Sequence, residues 1–177
     1  MLAQVPSIAG MSSRQQIRGV ARAPLVCTLV AALGRLEHSH GGLMAAIEEA
    51  VVYDMRPYDA TDLCTLLYGF AATGTRADRL FARAGAALPR QLGRLEPEPL
   101  TQLAEAHAVQ GAADDTLFEG IAAEVLMRSG HFTKQQVERI AASLRALGYA
   151  ESEELMAAWR GDERAGGRGG GAGARSR

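Results

Sequence analysis

Aromatic residues are scarce in this chain: one Trp, four Tyr and four Phe make up 5% of its 177 residues. A core must therefore be assembled from Leu, Ala, Val and Ile, and the apolar fraction of 47% supplies enough of them. Strand formers are sparse and Ala is abundant, which favours helix. No apolar run approaches the roughly 20 residues of a membrane-spanning helix, so no membrane partner is expected. The His-Cys and paired-carboxylate spacings that mark a metal site are also lacking. His38 and His40 lie in a turn beside Glu37, and His131 precedes Phe132. No catalytic residue, metal ligand or cofactor is therefore assigned.

Acid is missing from one end. Residues 1–36 hold Arg14, Arg18, Arg22 and Arg35 and no Asp or Glu, whereas residues 37–159 hold ten Lys/Arg against eighteen Asp/Glu, a net of −8. Residues 160–177 return to basic, with five Arg and two acids. Residues 1–21 have the composition of an organelle transit peptide; a truncated upstream repeat or a disordered end is the alternative. Residues 160–177, RGDERAGGRGGGAGARSR, are Gly-rich with spaced Arg and read as a disordered tail.

Between these ends lies a repeat. Leu63 to Leu88, LCTLLYGFAATGTRADRLFARAGAAL, returns 37 residues later as Leu100 to Val125, LTQLAEAHAVQGAADDTLFEGIAAEV. Leu63, Leu66, Ala71, Gly74, Asp78, Leu80 and Phe81 become Leu100, Leu103, Ala108, Gly111, Asp115, Leu117 and Phe118. The same step forward reaches Val137, Ile140, Gly148 and Leu155, and backward it reaches Val26, Leu29, Met44 and Val51. A period between 20 and 50 residues is the signature of a helical array. A pair of short helices cannot bury its apolar face alone, but stacked pairs give each a neighbour. The expected fold is all-α: an α-solenoid of four helix-pair repeats over residues 22–159, eight helices and no sheet.

Each unit repeats one pattern. An apolar anchor (Tyr58, Leu95, Phe132) precedes a polar helix start (Asp59, Glu96, Thr133), and Thr133 with Gln136 forms a capping box. The leading helix ends at Gly74, Gly111 or Gly148, where a left-handed residue closes it. Asp78 and Asp115 open the second helices beside the positive end of the helix dipole. Phe81 and Phe118 then fill the space between paired helices. In the first unit Val26, Leu29, Val30 and Leu33 share one face. Cys27 and Cys64 occupy the same place in successive units, on helices roughly 8–10 Å apart, too far for a disulfide; both read as buried thiols. His107 stands where Phe70 stands one unit earlier, at the core edge, and Trp159 ends the last helix and covers the end of the array.

A unit of this length excludes the tetratricopeptide and ankyrin repeats. The phrase LLYGFAATGTRADRLFARAGAAL resembles the octotricopeptide and heptatricopeptide repeats of organelle proteins. It is also similar to the leucine-rich helical region of FAST-kinase-like proteins and to the kinetoplastid RNA-editing substrate-binding proteins. The resemblance covers residues 22–159. It implies a non-enzymatic α-solenoid that binds single-stranded RNA, with no DNA partner, in mitochondria or alternatively chloroplasts. Such proteins act in RNA processing, mRNA stability or translation, or as subunits of a ribonucleoprotein complex. The chain departs from the family in encoding no nuclease-like RAP domain and in having few repeats.

RNA-reading helical repeats present one or two side chains per unit on the wall made by the first helices. The column Thr28, Thr65, Gln102, Arg139 is polar in all four units, and Tyr68 shares its face. Tyr68 has the shape to stack on a base and Arg139 the charge to meet a phosphate. The solvated side of an amphipathic helix has the same composition, and Glu98 and Glu105 on this face repel phosphate. Any solenoid groove also fits a protein, so the scaffold reading stays open. A basic or neutral polar groove favours RNA; an acidic or apolar one favours protein.

Overall fold

A computed structural model describes residues 23–166, and every regular element among them is helical. The elements are α1 (Ala23–Arg35), α2 (Gly41–Tyr53), α3 (Ala60–Ala72), α4 (Asp78–Ala87), a 3-10 helix (Pro89–Arg94), α5 (Pro97–Gln110), α6 (Asp115–Met127), a short 3-10 helix (Ser129–His131), α7 (Lys134–Ala146) and α8 (Glu151–Gly166). The eight α-helices and the absence of strand among the described residues agree with the all-α expectation. The address expected at residues 1–21, and residues 167–177 of the expected tail, lie outside the described residues.

The helices pack in two rows. In one, α1 packs on α3, α3 on α5, α5 on α7 and α7 on α8. In the other, α2 packs on α4, the Pro89–Arg94 segment bridges α4 to α6, and α6 packs on α8. The odd-numbered helices α1, α3, α5 and α7 begin at Ala23, Ala60, Pro97 and Lys134, one 37-residue step apart. Pro89 has no N–H to continue the ladder of α4, so the chain tightens into a 3-10 turn that fills the space beside α6.

Local chemistry explains the boundaries. Asp59 starts α3 through a reciprocal capping box with Asp62, and Thr133 starts α7 through one with Gln136. Glu96 precedes α5 without a side-chain cap, the first helical position being Pro97. Asp115 is the first residue of α6, but the cap itself is Asp114, whose carboxylate accepts from Leu117 N at 3.0 Å. The ends are closed by Gly74, Gly111 and Gly148 at φ of 65°, 66° and 87°. One step earlier the same corner is turned by Glu37 at φ 49°, a left-handed conformation that a residue with a Cβ adopts at a cost of about 1 kcal/mol.

The rows meet in a continuous aliphatic core. The column Val26, Leu63, Leu100, Val137 is buried throughout, as is Met44, Phe81, Phe118, Leu155 in the second row. Cys27 and Cys64 are buried free thiols, pushed up to about 12 by burial and therefore unreactive near neutrality. Trp159 is buried, but it does not end α8, which runs on through Arg160 to Gly166; the first seven residues of the expected tail are helical.

Two side chains depart from the sequence expectation. Leu29 is 42% exposed, although its counterparts Leu66, Leu103 and Ile140 are fully buried. Among the described residues α1 has a row neighbour on one side only, α3, so no helix covers that position. His107 is not at the core edge but inside it, 1% exposed and edge-on to Phe81 at 5.0 Å and Phe118 at 5.9 Å. Its Nδ1 lies 2.9 Å from the carbonyl oxygen of Ala112. A carbonyl only accepts, so Nδ1 carries the proton. Nε2 is buried with no hydrogen-bond partner among the described residues. Burial holds the imidazole below its ordinary pKa, opposed by the Ala112 carbonyl and by Asp114.

Two outcomes are expected. Phe81→Ala and Phe118→Ala each lower stability by about 3–5 kcal/mol in denaturant melts, the range for emptying a buried Phe site. The folded chain keeps His107 neutral while the unfolded chain protonates it near 6.5. Stability is thus fully present above that pH and falls as pH drops through it, by up to about 1.4 kcal/mol per pH unit. Urea melts between pH 8 and pH 5 of the parent and His107→Phe check this: the difference between the two curves must change below about pH 6.5.

Candidate functional site

The first-row helices expose one face on which three hollows run together. The first, about 330 Å³, lies between α1 and α3 and is lined by Thr28, Ala31, Arg35, Asp62 and Thr65 among others. The second, about 540 Å³, is lined by Gly34, Arg35, Glu37, Thr65, Tyr68, Gly69 and Gln102. The third, about 460 Å³, extends from Tyr68 to Glu105 and Arg139. Thr65 borders the first two hollows and Tyr68 the last two, so the three form one groove across α1, α3, α5 and α7. All five residues singled out in the sequence line it: Thr28, Thr65, Tyr68, Gln102 and Arg139.

The depth of the groove comes from small residues. A Cβ placed on Gly69 would lie 2.9 Å from the carbonyl oxygen of Val30 and would meet the Val30 side chain as well. Gly34 sits beside Gly69 from the α1 side, where its own Cβ would come within 3.3 Å of the Gly69 Cα. The α1–α3 contact is therefore backbone to backbone, and the longer side chains Thr65, Tyr68 and Gln102 stand around a low floor.

Each polar group has a defined capacity. The Thr28 hydroxyl donates to the Pro24 carbonyl at 2.8 Å, and the Thr65 hydroxyl donates to the Thr61 carbonyl at 3.0 Å. Both hydroxyl protons are thereby committed, and toward the groove these threonines act as acceptors. Tyr68 is 37% exposed, its ring dividing the second hollow from the third. Gln102 reaches Glu98 only through a long contact of 3.5 Å, which leaves its amide available to a better partner.

Arg139 behaves differently from the sequence expectation. Its guanidinium makes a bidentate pair with Glu105, 2.7 Å on both arms, and also donates to Glu98 at 3.1 Å. Glu98 further accepts from Gln136 at 3.1 Å. Hydrogen bonds to Glu105 raise the pKa of the guanidinium. On sequence grounds Glu98 and Glu105 are groups on this face that repel phosphate, not direct partners of Arg139, which the stacking of α7 on α5 makes them. Glu98 and Glu105 lie 34 to 41 residues away in sequence, and only stacking at the unit spacing makes them neighbours. As placed, Arg139 joins α7 to α5, and the cluster of one cation and two anions carries a net negative charge.

By composition the groove is divided. The middle hollow is neutral and mixed, Arg35 offsetting Glu37 around Thr65, Tyr68 and Gln102, with Ala31, Gly34, Gly69 and Ala72 beside them. The third hollow is mostly apolar, walled by Ala72, Ala106, Ala108, Val109, Ala142 and Ala146. Among the described residues no group of three or more His, Cys, Asp or Glu is placed to hold a metal ion, and no helix is long and apolar enough to cross a membrane. Compared with protein-family models and with curated proteins, the sequence gives no match to either.

Removing the clamp should be felt in stability first. Arg139→Ala leaves Glu98 and Glu105, two turns apart on α5, without the cation they share. A loss of about 1–2 kcal/mol in denaturant melts is expected, between the values for surface and buried pairs. Arg139→Lys should recover only part of it, because an ammonium does not make the bidentate pair.

Proposed function

We propose that this chain is a non-enzymatic RNA-binding protein of an organelle, an α-solenoid of four helix-pair units with a 37-residue period that holds single-stranded RNA along its first-helix wall. The equal spacing of α1, α3, α5 and α7 supports the solenoid. One observation carries the ligand: Thr28, Thr65, Tyr68 and Gln102, chosen by repeat register, line a single continuous groove with an aromatic ring in its middle. Base stacking on an exposed aromatic ring is insensitive to sequence, while flanking acceptors and amides read base edges. The threonine acceptors suit the exocyclic amino groups of bases, and Gln102 offers both a donor and an acceptor. The role follows from the resemblance: RNA processing, mRNA stability or translation in mitochondria, alternatively in chloroplasts, within a ribonucleoprotein complex.

A second reading has its own support. The third hollow is walled by alanines and closed by an already satisfied ion cluster, a surface suited to an apolar side of a protein partner. In that reading the chain is a protein-binding scaffold of the same kind of complex.

Ultraviolet crosslinking of the purified chain to a pool of single-stranded RNA, followed by sequencing, separates them. Tyr68→Ala is expected to weaken RNA binding roughly tenfold, within the ~1–3 kcal/mol of one base–aromatic stack. The triple variant Thr65→Ala, Tyr68→Ala, Gln102→Ala should lose base preference while retaining helical circular dichroism. Unaltered binding by the triple variant would remove the groove from the RNA reading. Capture of one protein with no RNA recovered would put the scaffold in its place.

A further inference from the structure

Positive charge in the described region is concentrated in one place. Residues 76–94 contain five Arg and one acid, Asp78, a net of +4 inside a chain that is acidic on either side. Arg76 is paired with Asp78 at 3.1 Å. The other four, Arg79, Arg83, Arg90 and Arg94, are exposed and make no ion pair among the described residues. Elsewhere Arg35 and Arg160 stand singly without an ion pair among the described residues, whereas Arg56, Arg128, Lys134, Arg139 and Arg145 each have a carboxylate within ion-pair distance. Glu124, which approaches Gly93 between Arg90 and Arg94, is committed to Arg128 at 2.9 Å.

These four cations do not belong to the architecture. One unit earlier their places hold Gly42, Ala46, Tyr53 and Pro57; one unit later they hold Thr116, Gly120, Met127 and His131. Packing of the unit therefore needs no arginine there. The helix itself is disfavoured by them. Arg79 sits in the first turn of α4, at the positive end of its dipole, and Arg79 with Arg83 is a like-charge pair at i, i+4. The 3-10 turn continues directly from α4 through Leu88 and extends the arginine run along the same element.

The groove lacks what this element has. At one end of the groove the Arg139 guanidinium is taken by Glu105 and Glu98, and at the other Arg35 shares the lining with Glu37, which offsets its charge. A polyanion held only by the groove would go without the counterion-release contribution that usually dominates nucleic-acid affinity. We propose that Arg79, Arg83, Arg90 and Arg94, on α4 and the Pro89–Arg94 turn, form the phosphate-backbone contact of this protein for single-stranded RNA. The choice of RNA among polyanions rests on the function proposed above. The stripe belongs to the second row and the groove to the first, so the arginines hold phosphates independently of any base contact in the groove and without regard to sequence.

The test is fluorescence anisotropy of the full chain with a single-stranded oligouridylate and a mixed-sequence RNA across a salt series. Three variants are compared with the parent: Arg79→Gln, Arg83→Gln, Arg90→Gln, Arg94→Gln together; the same four sites as Lys; and the triple groove variant. Each phosphate contact in single-stranded nucleic acid contributes about 0.7 to the slope of log affinity against log salt, so the Gln variant should be shallower by roughly 3. The Lys variant should keep the parent slope, since it keeps the charge. The groove variant should also keep the slope and lose only the preference between the two RNAs. A Gln variant with the parent's slope overturns the stripe and leaves the groove reading standing. A Gln variant with a lost slope beside a groove variant that binds as the parent supports the stripe and removes the groove. A parent that binds neither RNA at low salt, but binds anionic vesicles or an acidic protein through these arginines, overturns the proposal.

Discussion

The stacking of α1, α3, α5 and α7 is the contact on which the rest depends. It is closest where Gly69 meets the backbone of Val30, and it is filled by the columns of Leu, Val and Ile that recur at the unit spacing. With few aromatic side chains to span gaps, the helices must approach closely, and small residues at the crossing permit that. The second row then hangs on the first. Phe81, Phe118 and His107 fill the space between the rows, and polar bridges tie neighbouring corners together, such as Gln110 to the Thr75 carbonyl at 3.0 Å and Tyr149 to Asp115 at 2.9 Å.

Charge is sorted by the same stacking. Ion pairs that bridge units, above all Arg139 with Glu98 and Glu105, neutralise or acidify the groove wall. Four unpaired arginines gather on α4 and its 3-10 extension, where the chain is free of carboxylates apart from Asp78. A net charge of −1 for the whole chain conceals this separation, and local fields rather than the net value govern association with a charged partner.

Much of the fold was legible. The recurrence of Leu63, Phe81 and Gly74 at a fixed step announced helices, their order and their ends, because helical caps and apolar periodicity are local properties. Thr133 with Gln136 was readable as a cap for that reason, and the face shared by Thr28, Thr65, Tyr68 and Gln102 was readable from register. Less legible were the features that depend on neighbours in space. Leu29 looked like its buried counterparts, yet among the described residues α1 has a row neighbour on one side only. His107 looked marginal, yet it lies between two Phe rings. The Gly-rich stretch from Arg160 hid seven more residues of helix. The arginine cluster from Arg76 to Arg94 was visible in the sequence; what singled it out was that Arg79, Arg83, Arg90 and Arg94 lack carboxylate partners once the chain has folded.

By itself the sequence determined that the described region is all-helical, where most of its helices start and stop, which residues are apolar enough to be inside, and which polar positions share a register. These follow from propensity, capping and periodicity, which act over a few residues. Tertiary structure alone decided which charges are available. Whether an arginine is free or clamped depends on what lies one unit away across a helix interface, at separations of 34 to 41 residues. Electrostatic energy falls with distance in space, not with distance along the chain, so Arg139 and Arg83 are alike as residues and opposite in what they can still bind.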